Sequence, residues 1–161
     1  MNCKKIGIII AMCTMFLGSS LDVSAEEIEP AGYHVYDIQE EQASDTWYGI
    51  ARGTYLRAAV SKILKGSAAK YVSCSGTTFA HQVSDRVFVR IYLDQSDSGT
   101  DGWWTVNYWT GEAHNNSTAH VSTVDYQITR DKYYRVKGSH SVTEGETTEV
   151  TTTCTNALYF D

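Results

Sequence analysis

Thr54-Tyr-Leu-Arg-Ala-Ala-Val-Ser-Lys-Ile-Leu-Lys-Gly66 is the stretch on which the fold class turns. Leu56, Ala59, Val60, Ile63 and Leu64 recur at helical spacing, Lys and Arg lie between them, and Gly66 stands where a C-terminal cap would. The same residues also suit a strand, with Leu56, Ala58 and Val60 alternating along one face. A helix here would give a mixed architecture; a strand would leave the whole chain β.

The sequence on the C-terminal side favours strands. In Asp85–Asp94, DRVFVRIYLD, Val87, Val89, Ile91 and Leu93 face one way and Arg86, Phe88, Arg90 and Tyr92 the other. AKYVSCSGTT, before it, puts Val72, Cys74 and Thr78 on one face. After the turn DQSDSGTDG come WWTVNYWT, a polar loop GEAHNNS, and a strand offering Val124, Tyr126 and Ile128. KYYRVKGSHSV offers Tyr134, Val136 and Gly138, and TTEVTTTCTNALYF offers Val150, Cys154 and Leu158. Short strands at this spacing, rich in Thr, Val and Tyr, predict a β-sandwich or barrel.

The N-terminal end carries different signals. Lys4 and Lys5 precede an apolar run over 6–17, and Val23-Ser24-Ala25 suits a cleavage site. Residues 1–25 therefore read as a secretory signal peptide, since a membrane span needs about 20 apolar residues. The mature chain would then hold 161 − 25 = 136 residues, enough for one domain, and no second apolar run of membrane length follows. It would carry 13 − 2 = 11 basic and 19 − 1 = 18 acidic residues, a net of −7, which argues against nucleic acid as a partner. Residues 26–52 hold EEIEP and EEQASD and read as an acidic, poorly ordered leader, although Tyr33, Val35 and Tyr36 could add an edge strand. Of the cysteines beyond the signal, Cys74 and Cys154 most simply form one disulfide, worth about 4 kcal/mol in the chain-entropy picture.

Several residues together resemble a family of small secreted proteins of Gram-positive bacteria that carries no assigned activity. They are Tyr55-Leu56, Ser61, Ile63, Val72, Gly76, Thr78 and Ala80; Asp85, Val87, Val89 and Tyr92-Leu93; and Tyr133-Tyr134-Arg135-Val136, Gly138, His140-Ser141 and Glu149. The resemblance runs over about residues 54–160. It implies an all-β domain, which tips Leu56–Leu64 from helix to strand, and it implies no catalytic residues. TRDKYYRVKGS also resembles the penultimate strand of fibronectin type III and immunoglobulin-like sandwiches, which makes Tyr134 a tyrosine-corner candidate. The expected architecture is an immunoglobulin-like β-sandwich of about seven strands over residues 53–161.

Four places could carry function. DGWWTVNYWTG, Asp101–Gly111, holds three of the four tryptophans. If Val106 points inward with Trp104 and Tyr108, then Trp103 and Trp109 form an outer pair able to stack on sugar rings or anchor a protein, unless a bulge swaps the faces. Asp94, Asp97 and Asp101 gather hard oxygen ligands in one turn, in a spacing unlike an EF-hand loop. Ser139-His140 with Asp125 can be assembled into a triad on paper, but no Gly-x-Ser-x-Gly elbow supports it. Asn115 and Asn116 begin overlapping sequons that otherwise read as a polar loop. No cofactor motif stands out. The sequence points to a secreted, non-catalytic binding module for an extracellular glycan or protein, with a secreted hydrolase or a bacteriocin-like toxin as alternatives.

Overall fold

The computed structural model describes residues 29–50 and 55–161, all strands and connections, and the expected signal segment lies outside them. The strands are β1 (Gly32–Gln39), β2 (Gln42–Gly49), β3 (Leu56–Lys65), β4 (Tyr71–Ser96), β5 (Trp104–Gln127), β6 (Lys132–Glu144), β7 (Thr147–Cys154) and β8 (Leu158–Phe160). All pair antiparallel in one sheet in the order β1-β2-β3-β4-β6-β7, with β5 also on β4 and β8 also on β6. The all-β expectation holds. The expected pair of separate immunoglobulin-like sheets is replaced by a single curled sheet of eight strands.

The contested stretch is β3. A bulge between Leu56 and Ala58 explains its two-way reading. The bulge resets the alternation, so Leu56, Ala59, Ser61 and Ile63 are the inward residues, all fully buried. Their spacing of three, then two and two, puts Leu56, Ala59 and Ile63 where a helix would also align them.

Two expected pairs of short strands are single long ones. β4 joins AKYVSCSGTT to DRVFVRIYLD, and β5 runs through the expected loop GEAHNNS. Both bend at a shared corner: the β4–β5 register slips between Phe79 and Ser84, and Asn115 takes a φ of 49°. Before the corner β4 pairs with β3, and beyond it with β6, so the ribbon carries the sheet around the core. The inner face holds Leu56, Ile63, Val72, Val87, Val89, Ile91, Leu93, Val136 and Val142, each at 0% exposure.

The expected leader is largely structured. Its residues 32–49 form the β1–β2 hairpin, in which Ala43 and Trp47 enter the core. The acidic composition concealed this because Asp45 is buried for a purpose. Curling brings β7 against β2 and β3, and side chains rather than a backbone ladder sew that seam. Asp45 Oδ2 accepts the Cys154 N–H (2.7 Å), Glu149 Oε2 accepts the Leu56 N–H (2.7 Å), and Ser61 Oγ meets Thr153 Oγ1 (2.6 Å). This reverses β7: Glu149, Thr151 and Thr153 face inward, not Val150 and Cys154.

The same reversal removes the expected disulfide. Cys74 and Cys154 are free thiols. Cys74 points into the core with Val72, whereas Cys154 alternates with the inward Thr153 and lies on the outer side. Opposite faces of the sheet keep the two sulfurs apart. Tyr134 meets its expectation as a tyrosine corner. Its buried hydroxyl accepts the Thr129 N–H (3.1 Å) and lies 2.9 Å from Thr129 O and 2.6 Å from Gln95 Oε1. Burial raises its pKa.

Candidate functional site

The core-facing alternation of β4 dictates what stands on its other side. With Val87, Val89, Ile91 and Leu93 inside, Arg86, Phe88, Arg90 and Tyr92 project outward in one row. β5 sets Tyr108 opposite Tyr92 and Glu112 opposite Phe88. β6 sets Arg135 opposite Asp94 and Lys137 opposite Tyr92.

These side chains interleave cations with aromatic rings. The Arg86 guanidinium lies 4.8 Å from the Phe88 ring centre, and Arg90 lies 5.5 Å from both Phe88 and Tyr108. Tyr108 packs on Tyr92 at 6.2 Å, Lys137 Nζ stands 5.9 Å from Tyr92, and Arg135 covers Trp103 at 4.1 Å. Two carboxylates sit among them. Glu112 pairs with Arg86 Nη2 (2.9 Å); this hydrogen bond raises the arginine pKa and lowers that of Glu112. Asp94, with its side chain 2% exposed, holds Lys137 Nζ (3.2 Å) and Arg135 Nε (3.5 Å) and accepts from Thr105 Oγ1 (2.7 Å). Four cations thus face two acids. No carboxylate pairs with Arg90 among the described residues, and its buried Nε has no hydrogen-bond partner.

Beside this row a groove of about 300 Å³ runs along Tyr92, Lys137, Ser139, Thr152 and Cys154. Burial raises the Cys154 pKa, so its thiol stays protonated at neutral pH. A larger groove of about 490 Å³ at one end of the sheet is lined by Gln95, Val106, Tyr126, Ile128 and Tyr134. Of its polar lining residues, Gln95 and Tyr134 already bond each other.

The sequence candidates fall out differently. Opposite Leu93 and Asp94, Val106 is an extra residue in β5, a bulge that swaps the faces expected for DGWWTVNYWTG. Trp109 packs partly buried on the core, with its ring edge-on to Tyr126 at 5.2 Å. Trp103 is half-buried beneath Arg135, just before β5. The exposed rings are Trp104 and Tyr108, expected inward. Asp94, Asp97 and Asp101 do not converge: Asp97 pairs with Lys132 Nζ (2.7 Å), and Asp101 accepts from Ser98 Oγ (2.6 Å). No cluster of three or more His, Cys, Asp or Glu side chains placed to hold a metal ion occurs among the described residues.

His140 is fully buried in β6. Nδ1 meets Thr78 Oγ1 (2.8 Å) and Nε2 meets Thr153 Oγ1 (3.0 Å), continuing the Ser61–Thr153 contact. Burial lowers its pKa to about 3, so the ring is neutral. Ser139 lies on the outer side, and Asp125 instead accepts from Ser67 N–H and Oγ–H (both 2.9 Å). The paper triad is not assembled.

Sequence reasoning noted the outward row of β4 but did not single out Arg90 or Tyr108. The signal was there in RVFVRIY, where arginines bracket an aromatic residue at strand spacing. No helix among the described residues is long and apolar enough to cross a membrane. No curated protein and no solved structure matches the chain. The sequence profile of DUF6147, a family of unknown function, matches residues 21–158, and the chain belongs to that family.

Proposed function

We propose that the protein is a non-catalytic binding module, working outside the cell, whose contact face is the outer side of β4, β5 and β6. The single observation that carries this reading is Arg90. Its guanidinium is stacked on Phe88 and Tyr108, has no carboxylate partner among the described residues and lies in a row of four cations against two acids. On a chain of net charge −6, that row marks a local reversal of sign. A planar guanidinium suits a carboxylate, and the flanking rings offer flat apolar faces for sugar C–H groups. Both demands are met by a glycan that bears uronic acids. A hydrolase working through His140 is disfavoured, because that ring is sealed in the core by Thr78 and Thr153.

Titration with polygalacturonate, followed by the fluorescence of Trp103 and Trp104, tests the reading. A saturable change is expected, weakening with salt and falling roughly tenfold or more in Arg90→Gln and in Tyr108→Ala, since a charge-assisted hydrogen bond contributes about 1.5–3 kcal/mol. Binding that both variants leave intact would move the site elsewhere.

A further inference from the structure

We infer that β1 is a self-association strand, joining two copies of the chain by antiparallel β1–β1 pairing about a two-fold axis at Val35. Among the described residues the strand pairs only with β2, and all eight of its own residues are exposed. Tyr33, Val35, Tyr36 and Ile38 stand at 48–59% exposure on it, a concentration of apolar surface on one edge. The hairpin closes on the pair Gln39–Gln42, and Ile50 N–H donates to Ala31 O. Odd-numbered residues of β1 therefore bond to β2. The backbone groups of Gly32, His34, Tyr36 and Ile38 point to the free edge.

A second free edge, that of β5, shows what protection looks like. It is interrupted by register shifts at three places and by positive φ at Asn115 and Asp125. β1 has an unbroken register with β2 and contains no Lys, Arg or Pro, the residues that usually guard an edge.

The sequence of β1 selects a second copy as occupant. Two-fold antiparallel pairing joins residues of equal parity, so only registers centred on a residue are open. Centring on Val35 sets Val35 against itself, His34 against Tyr36, Tyr33 against Asp37 and Gly32 against Ile38. No like charges meet. Centring on Asp37 would oppose two carboxylates, and centring on Tyr36 would set each Asp37 against a Val35. The Val35 register also extends the existing His34–Tyr36 stack (5.8 Å) into a four-ring cluster.

Sedimentation across a wide concentration range, with cysteine cross-linking, tests this. The protein is expected to rise to dimer mass, and Val35→Lys is expected to stay monomeric with unchanged circular dichroism. On a Cys154→Ser background, Val35→Cys is expected to form a disulfide dimer, because such non-hydrogen-bonded partners have Cα atoms about 4.5 Å apart. Asp37→Cys, facing Tyr33, is not. A monomer at every concentration, a dimer that survives Val35→Lys, or equal cross-linking of both cysteine variants would overturn the inference.

Discussion

Tyr108 and Trp109 are neighbours in the chain, yet only Trp109 packs against the core. Replacing Trp109 by Ala should destabilise the protein by about 2–4 kcal/mol in urea unfolding, through lost packing on Tyr126. Tyr108→Ala should stay within about 0.5 kcal/mol of the parent while weakening ligand binding. His140 makes a prediction of opposite kind. Its folded pKa of about 3 lies below the ordinary 6.5, so between those values the unfolded chain binds a proton that the folded one refuses. Stability from this residue is complete above pH 6.5 and is lost as pH falls toward 3, at up to about 1.4 kcal/mol per pH unit. Unfolding curves of the parent and of His140→Gln should converge on acidification. Parallel pH profiles would show that His140 is not the group responsible.

At the scale of strands, regular alternation was legible and bulges were not. Asp85–Asp94 could be read from sequence because nothing interrupts its period of two. Leu56–Lys65, Trp104–Trp109 and the end of β5 were misread at one face each. In the last, Val124 was expected inward but is 76% exposed, where the register slips opposite Ser73 and Asp125 takes a φ of 50°. A bulge depends on the opposing strand, which local sequence does not name. Gly138 in β6 gives the seam a direct test. A Cβ there would collide with Ser61 Oγ, His140 Nε2 and Thr153 Oγ1 together. Gly138→Ala should cost about 1–3 kcal/mol or more, with the loss concentrated where β7 meets β3. An unchanged midpoint would mean that the polar seam yields freely.

For the molecule as a whole, the all-β class was legible in the Thr-, Val- and Tyr-rich strands, while the curling was not. Curling decides which acids are structural, because Asp45 and Glu149 serve as acceptors across the β2/β3–β7 seam instead of forming part of a solvated acidic leader or a polar strand face. It also leaves Cys74 and Cys154 on opposite faces, while the direct β4–β6 ladder lines up cations that are far apart in sequence. The central claim is that this lined-up face binds ligand. Mapping backbone amide shifts by NMR during titration with short oligogalacturonates tests it most directly. The account predicts perturbations clustered on Phe88, Arg90, Tyr92, Tyr108 and Lys137. Shifts confined to another face, or none at saturating ligand, would contradict it.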